Sequence, residues 1–337
     1  MGKISKEMMK RHSKAMEIIE QDELSYDDKI YVLENYHEGA TNMNNLVSAH
    51  FTPMEIARSV EQCARSENFV DLCAGIGVLS WCFLRMHQFQ SNEMNITGVC
   101  IENCAEYYRI GKKLMPEFHW INGDIFDPQI IQQVKDLMKG KTFSIISNPP
   151  YGKQVKTDTK ELLQYKGPEF EFKAIELGYL LGAYDGAFLI PQGSCNFKMT
   201  TESRHNEFNV PCAKYEKFYK ETGLEMSPNM GYSTEVHDEN GWKDVSIITE
   251  IAVFEYEEMR DNTPEIISDE DFDTEEERLY KEKHLVCKAE PGSLQEKENK
   301  SQMKHDLMWE KRLLKLKEEV KAEEEAEDNE EGQLSLF

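Results

Sequence analysis

Four consecutive residues, Asn148-Pro149-Pro150-Tyr151, combine the groups in this chain that are best suited to binding a planar amino group. Asn148 supplies a side-chain carbonyl. Pro149 has no N–H, so its carbonyl is free to accept a hydrogen bond in a rigid turn. Tyr151 supplies a flat face for stacking. Two acceptors and a stacking plane suit an exocyclic amino group, such as N6 of adenine, better than a hydroxyl or a carboxylate. The alternative is a proline-rich turn after a strand, which is common.

A glycine-containing segment, Asp71-Leu-Cys-Ala-Gly75-Ile-Gly77, follows a short apolar strand and opens a predicted helix. Glycines let the backbone approach a ligand closely. Because the segment lacks the third glycine of G-x-G-x-x-G, a dinucleotide site is disfavoured. In open α/β sheets, ligands bind at the carboxyl ends of the strands. The segment is therefore a candidate ligand loop.

Three further positions carry candidate binding groups. Glu102 ends the second predicted strand, where a carboxylate can accept hydrogen bonds from both hydroxyls of a ribose. Asp124 ends the third, where an acid can accept one from an adenine amino group. Thr52-Pro53 resembles a helix start with proline in the first turn. The alternatives are a solvated strand end, a turn aspartate and an ordinary helix cap.

Alternating strands and helices between about residues 46 and 192 position these groups. Alternation at this length predicts right-handed βαβ units and a mainly parallel sheet, an α/β fold of the doubly wound kind. Residues 4–36 are predicted to form two helices. Residues 224–236 and 245–256 are predicted to form a terminal hairpin that adds an antiparallel strand to the sheet.

The composition sets limits on partners and location. The chain has 63 acidic and 39 basic side chains and a formal net charge of −24, so it has no bulk attraction to nucleic acid. Its eight cysteines show no metal-ligand spacing, and we predict no metal site. Scattered free cysteines fit a reducing cytosol. No apolar run is long enough to span a membrane, and the N-terminus lacks a signal-peptide core. We expect a soluble cytoplasmic protein without a membrane partner.

The composition changes after residue 258. Residues 269–277 and 323–331 are too rich in acids to bury surface. We predict that residues 259–332 form a mostly disordered acidic tether with one possible amphipathic helix. The other predicted parts are a helical N-terminal extension (1–45), a main domain (46–258) and a terminal pentapeptide (333–337).

The order of these segments resembles that of S-adenosylmethionine-dependent DNA adenine-N6 methyltransferases of the γ arrangement. The resemblance covers about residues 46–258 and rests on Phe51-Thr-Pro-Met-Glu-Ile-Ala57, Asp71 to Gly77, Glu102, Asp124 and Asn148 to Tyr151. The glycine loop alone is a weak signal, Asn-Pro-Pro-Tyr a strong one, and the ordered set is stronger still. It implies a Rossmann-like class I methyltransferase fold, S-adenosylmethionine as the cofactor without a metal, and DNA as the substrate. No stretch is long enough for a separate target-recognition domain.

The resemblance also implies roles for individual residues. Glu102 would hold the cofactor's ribose and Asp124 its adenine. Around the methionine part of the cofactor, the pocket would be shaped by Asp71, Gly75 and Gly77 and closed by Phe51, Thr52 and Pro53. The implied catalytic residues are Asn148, Pro149, Pro150 and Tyr151. Asn148 is also one of the residues that the resemblance implies bind the cofactor.

Two features are expected to contact DNA. Tyr151 would stack on a base that has left the duplex, with Phe170 as a candidate for the second face and Phe172 as a core residue. The loop after Tyr151 is a candidate guide for the DNA backbone, chiefly through Lys153 and Lys156. Its other charged residues are Lys160, Lys166, Lys173, Asp158, Glu161, Glu169 and Glu171. With a net charge of only +1 over this set, we expect weak intrinsic affinity for DNA.

The chain ends in Gln333-Leu334-Ser335-Leu336-Phe337, an apolar end after a run of acids. This pentapeptide resembles the peptide with which bacterial DNA polymerases and repair proteins bind the sliding clamp, the β subunit of the replicative polymerase. Leu334, Leu336 and Phe337 would fill an apolar groove, with Gln333 hydrogen-bonding at its edge. The resemblance implies that a bacterial or phage enzyme reaches DNA through the clamp. The alternative is an apolar end without a partner.

Two other functions remain open. Glutamine-N5 methyltransferases and some RNA methyltransferases share Asn-Pro-Pro-Tyr, although the early Thr-Pro segment and the clamp-like tail argue against them. A non-catalytic clamp-binding or DNA-mimicking protein on a methyltransferase scaffold would explain the high negative charge. The intact Asn148 to Tyr151 segment argues against that reading.

Overall fold

The structure is a computed structural model that describes residues 4–40, 50–90, 96–153, 159, 161–200, 206–229, 231–235, 242 and 248–262, with the backbone alone at 85–90, 261 and 262. Within these residues, no helix has the length and apolar character needed to cross a membrane. Lys156 and Lys160, most of the predicted tether and the terminal pentapeptide lie outside them.

A seven-stranded sheet forms the centre of the fold, in the order β3-β2-β1-β4-β5-β7-β6. Strands β1 to β5 are parallel, and β7 runs antiparallel to both β5 and β6. The strands are β1 Asn68–Asp71, β2 Gly98–Glu102, β3 His119–Asn122, β4 Phe143–Ser147, β5 Asp185–Pro191, β6 Ser227–Pro228 and β7 Thr249–Phe254. The strand order reverses between β1 and β4, which makes the carboxyl ends of these two strands the expected ligand position.

Helices connect the parallel strands and extend the fold at its N-terminus. They are α1 Lys6–Ile19, α2 Tyr26–Asn35, α3 Met54–Glu61, α4 Val78–Gln90, α5 Ala105–Leu114, α6 Pro128–Met138, α7 Phe170–Leu180, α8 Ala213–Thr222 and α9 Tyr256–Asn262. Local signals explain several starts. Ser25 and Asp28 form a capping box at α2, and α6 begins with Pro128 after the capping Asp127.

The N-terminal helices share one apolar core with the sheet and its covering helices. Ile19 of α1 and Val32 and Leu33 of α2 belong to the same buried cluster as Phe69 of β1. The ring of Tyr36 lies edge-on to that of Tyr107 on α5, with 6.2 Å between the ring centroids. Both helices predicted for residues 4–36 are therefore present, and they pack as part of the main body.

The predicted fold class is confirmed: a mainly parallel, Rossmann-like α/β sheet with an antiparallel pair at one end. The strand predicted over 224–236 is much shorter than expected, because Asn229 turns the chain directly after β6. Its Oδ1 accepts hydrogen bonds from the N–H groups of Gly231 and Tyr232 at 2.7 and 2.6 Å.

A second compact unit includes, among the described residues, 159, 161–164 and 257–262. Within it, the N–H groups of Leu162 and Leu163 donate to the carbonyl of Thr159. Helix α9 continues to Asn262, three residues beyond the position where the tether was predicted to start.

Candidate active site

A cavity of about 370 Å³ lies where the carboxyl ends of β1 to β4 meet. Most of the predicted site residues line it: Phe51, Thr52, Glu102, Asp124, Asn148, Pro149, Pro150, Tyr151 and Phe170. The topology therefore brings together segments that are separated by up to 120 residues in the chain. Pro53, Asp71, Gly75 and Gly77 are not among the lining residues.

The amide of Asn148 is held in one orientation at the end of β4. Its Nδ2 donates to the carbonyl oxygen of His50 at 2.8 Å and to Oγ1 of Thr52 at 2.9 Å. Because a backbone carbonyl can only accept, this contact identifies the nitrogen side of the amide. Oδ1 of Asn148 is therefore the oxygen that is available to other donors.

Tyr151 supplies one such donor. Its hydroxyl donates to Oδ1 of Asn148 at 2.6 Å. Burial, followed by the nearby charge of Glu171, raises the pKa of Tyr151 well above its usual value, so the phenol keeps its proton. Tyr151 was predicted to stack on a substrate base. Its hydroxyl instead bonds to Oδ1 of Asn148, the acceptor that was predicted to bind the amino group of that base.

Glu171 braces the segment that follows Tyr151, although the sequence placed it among loop charges. Its carboxylate is fully buried in the first turn of α7. It accepts hydrogen bonds from the N–H of Gly152 at 2.7 Å and from the hydroxyl of Ser194 at 2.9 Å. The turn after Asn-Pro-Pro-Tyr is thereby tied to Ser194, three residues after the end of β5. The position of Glu171 at the start of an apolar helix was the only sequence signal for this role.

Glu102 lies at the cavity with both carboxylate oxygens on backbone donors. Oε2 accepts from the N–H of Gly75 at 2.8 Å, and Oε1 accepts from that of Cys104 at 2.7 Å. Burial raises the pKa of Glu102, while the backbone hydrogen bonds oppose that rise. These contacts fix the carboxylate at the end of β2 and link it directly to the glycine loop.

The glycine loop needs its glycines for conformation and for close packing. Gly75 and Gly77 have φ angles of 56° and 93°, which other residues rarely adopt. A Cβ on Gly75 would lie 2.9 Å from the ring of Phe51, and one on Gly77 would lie 2.2 Å from the side chain of Met115. The loop therefore supports the cavity wall through Phe51.

Asp71 is the last residue of β1 and directly precedes Leu72 and Cys73, which line the cavity. Its side chain is fully buried, and its Oδ2 accepts a hydrogen bond from the hydroxyl of Ser80 at 2.8 Å. Burial raises the pKa of Asp71 to about 7. The Asp71 carboxyl therefore helps to shape the glycine loop, and its charge changes near neutral pH.

Asp124 is exposed at the cavity edge. Its Oδ1 accepts from the N–H of Phe126 at 3.0 Å, which is an Asx turn. Asp124 can therefore be both a turn aspartate and a ligand-binding residue, because one oxygen shapes the turn while the side chain faces the cavity.

The two phenylalanines of α7 have different surroundings. Phe170 lines the cavity and lies edge-on to Phe126, with 5.5 Å between the ring centroids. Phe172 is fully buried and stacks on Phe218 with a centroid separation of 4.7 Å. Phe172 is therefore a core residue, as predicted.

The predicted cationic loop needs correction. Lys153 and Lys166 are exposed, but Lys173 is 92% buried within α7. Two of the acids counted against these lysines, Glu169 and Glu171, are also buried. Helix α7 begins immediately after Glu169 and turns these side chains into the protein, so they do not contribute to the surface charge of a loop.

In the described part of the chain, no group of three or more His, Cys, Asp or Glu side chains could hold a metal ion. The seven cysteines described there are free thiols.

Comparisons with known proteins give a structural likeness only. No known family profile matches the chain, and no curated protein matches it. Among solved structures, it resembles a type I restriction-modification methyltransferase subunit from Streptococcus thermophilus, with a TM-score of 0.44 and 14% identity over 69% of this chain and 50% of that one. This chain therefore spans about half the length of that subunit.

Two shorter proteins are also similar in structure. One is a putative class I S-adenosylmethionine-dependent methyltransferase from Listeria monocytogenes, with a TM-score of 0.41 and 12% identity over 74% of this chain and 80% of that one. The other is an O-methyltransferase from Bacillus cereus in complex with SAH, with a TM-score of 0.38 and 12% identity over 73% and 99%.

Proposed function

We propose that this protein transfers a methyl group from S-adenosylmethionine to N6 of adenine in DNA. The observation that supports this most directly is the orientation of Asn148, whose Nδ2 is held by His50 and Thr52 while its Oδ1 remains a hydrogen-bond acceptor at the cavity. An acceptor held at the end of β4 suits an amino group and not a carboxylate. The order of the sequence motifs supports adenine in DNA as the substrate.

The residues around the cavity fit the cofactor. The cavity volume of about 370 Å³ falls within the range of about 300–1,000 Å³ that is usual for small-molecule sites. The buried carboxylate of Glu102 would hold the ribose, and the exposed carboxylate of Asp124 at the cavity edge would hold the adenine amino group. Phe51 and Thr52 line the same space. The bound cofactor supplies an electrophilic methyl group on a sulfonium.

Asn148 and Pro149 would act on the substrate amine. The N6 lone pair of adenine is delocalised into the ring and is a poor nucleophile. Hydrogen bonds from its two N–H groups to Oδ1 of Asn148 and to the Pro149 carbonyl would draw the nitrogen towards tetrahedral geometry and localise the lone pair. The nitrogen would bond to the methyl group as the bond from that methyl to the sulfonium sulfur breaks, which leaves S-adenosylhomocysteine, and the nitrogen would then lose one proton to solvent. The rate then depends on positioning and electrostatics more than on a strong base.

The target adenine must leave the helical stack to reach this cavity. Tyr151 and Phe170 line the cavity, and in our proposal they bind the two faces of the base. Tyr151 would move its hydroxyl away from Oδ1 of Asn148 as the amino group arrives.

The second part of the proposal is recruitment by the sliding clamp. A chain with a net charge of −24 gains little from the phosphate backbone. Binding of Gln333-Leu334-Ser335-Leu336-Phe337 to a clamp that encircles DNA would offset this weakness. A flexible chain of about 70 residues spans roughly 45–50 Å, and tethering at that range gives an effective concentration approaching the millimolar range.

Label transfer from methyl-labelled S-adenosylmethionine to a panel of DNA, RNA and release-factor protein tests the substrate class. We expect label in DNA, with little in RNA or protein. Label in glutamine or in RNA would replace the proposed substrate. Clamp binding without label in any of the three would identify a non-catalytic protein.

A further inference from the structure

The segment His50-Phe51-Thr52 contacts the proposed catalytic amide through its first and last residues. The carbonyl of His50 and Oγ1 of Thr52 accept both N–H groups of Asn148, at 2.8 and 2.9 Å. Both N–H bonds of the amide are therefore used, and the side chain cannot rotate without losing two hydrogen bonds. Thr52 is 94% buried, so water cannot easily replace its hydroxyl.

The opposite orientation of the amide is disfavoured by these same contacts. It would place Oδ1 of Asn148 against the His50 carbonyl, where neither atom can donate. It would also turn the two N–H groups towards the hydroxyl of Tyr151, where a substrate amine could not be accepted. The hydroxyl of Thr52 can donate or accept, so it supports the orientation that the His50 carbonyl selects.

The middle residue of this segment is attached to the N-terminal extension. The N–H of Phe51 donates to Oε1 of Glu38 at 3.2 Å, and the Glu38 side chain is 98% buried. The ring of Phe51 lies 5.9 Å from that of Tyr36 and 5.0 Å from that of Tyr107, between centroids. Glu38 and these rings fix the backbone from which the His50 carbonyl and Thr52 contact Asn148.

We propose that Thr52 is a positioning residue for Asn148, and that Glu38 of the N-terminal extension holds the backbone of Thr52's segment in place. This inference rests on the proposed function and assigns a role to the N-terminal extension, to which the sequence motifs assign none. Thr52 acts on the amide, in addition to any contact that it makes with the cofactor.

The Thr52→Val and Thr52→Ser pair tests the proposal. Valine keeps the shape of threonine and removes the acceptor, whereas serine keeps the acceptor. We expect Thr52→Val to lower kcat at saturating S-adenosylmethionine by about 10- to 100-fold, the effect of leaving one buried N–H unpaired. Thr52→Ser should recover most of kcat. Full activity in Thr52→Val, or a loss confined to cofactor affinity, would overturn the proposal.

A second measurement does not depend on activity. In full-length, ¹⁵N-labelled protein, the side-chain NH₂ signals of Asn148 are assigned by comparison with Asn148→Asp. We expect slow solvent exchange of both protons in the wild type and in Thr52→Ser, and faster exchange of one in Thr52→Val. Equal exchange in all three proteins would overturn the positioning role. If the wild type methylates nothing, the proposed function fails while this measurement still decides how Asn148 is held.

Glu38→Gln and Glu38→Leu extend the test to the N-terminal extension. Glutamine keeps a carbonyl that can accept the Phe51 N–H, and leucine does not. We expect the Asn148 signals to be unchanged in Glu38→Gln and to exchange faster in Glu38→Leu. Unchanged exchange in a folded Glu38→Leu protein would remove Glu38 from the proposal.

Discussion

The hydroxyl of Tyr151 donates to Oδ1 of Asn148, with 2.6 Å between the two oxygens. This contact joins the two side chains that would bind the amino group and the face of the same base. In the structure they bind each other. Binding of a base then requires one hydrogen bond to be exchanged for another, while the Nδ2 contacts of Asn148 stay in place.

Removing the hydroxyl should therefore favour substrate. In Tyr151→Phe, no internal hydrogen bond to Oδ1 of Asn148 has to be broken when a base binds. Such a hydrogen bond typically contributes about 0.5–1.5 kcal/mol net. We expect KM for a single-stranded adenine oligonucleotide to fall about two- to tenfold, with cofactor affinity unchanged. Tyr151→Ala removes the stacking face and should raise KM, because stacking contributes about 1–3 kcal/mol per base. If both variants raise KM equally, the hydroxyl has a direct role in binding the base.

Phe170 and Phe172 form a matched pair on one helix. Phe172→Ala removes a fully buried ring stacked on Phe218 and should lower the free energy of unfolding by about 3–5 kcal/mol. Phe170→Ala should cost less stability, because its ring faces the cavity, and should weaken base binding instead. Urea unfolding and oligonucleotide binding measure the two effects. The assignment is wrong if the two variants behave alike in both.

The carboxyl of Asp71 should make stability depend on pH. Burial raises the pKa of Asp71 to about 7 in the folded protein, against about 3.9 in an unfolded chain. The folded state therefore binds this proton more tightly. The contribution of the Asp71 carboxyl to the free energy of unfolding is therefore complete below about pH 4 and is lost as pH rises through about 7.

Asp71→Asn should remove this dependence, since an amide keeps an acceptor for the hydroxyl of Ser80 without becoming charged. We expect the variant to gain stability relative to the wild type at pH 8 by about 2–4 kcal/mol, and to gain much less at pH 5. Thermal unfolding of both proteins across that range is the measurement. A constant difference between pH 5 and 8 would show that Asp71 does not titrate there.

Deleting residues 333–337 separates recruitment from chemistry. We expect the truncated chain to lose binding to the sliding clamp while its affinity for S-adenosylmethionine is unchanged, since the deleted peptide is remote in sequence from every cavity residue. Leu334→Ala with Phe337→Ala is the matched control at full length, because these apolar anchors are expected to fill the groove. Surface plasmon resonance on immobilised clamp measures both. Unchanged clamp affinity in the truncation would remove the clamp from the proposal.

Much of the site was predictable because topology places strand ends together. Glu102 ends β2, Asp124 lies two residues after β3 and Asn148 directly follows β4, and the carboxyl ends of parallel strands meet at one edge of the sheet. The strand-and-helix alternation that carries them was visible as periodic apolar runs.

Other features were not predictable, because they depend on contacts that side-chain type does not encode. The His50 carbonyl bonds Asn148 through the backbone, which any residue could do. Glu171 and Lys173 were assigned to a surface loop, but the start of α7 buries them both. The hydrogen bond of Tyr151 to Asn148 depends on a rotation of one side chain, for which the sequence has no signal.

The most direct test of the account is nucleoside analysis of DNA incubated with S-adenosylmethionine and either wild-type protein or Asn148→Ala, with cofactor affinity measured in parallel. We expect N6-methyladenine from the wild type. For Asn148→Ala we expect a loss of at least about a hundredfold in rate at saturating cofactor, since the acceptor that localises the lone pair is gone. N6-methyladenine formed equally by both proteins, or no methylated base from the wild type, would contradict it.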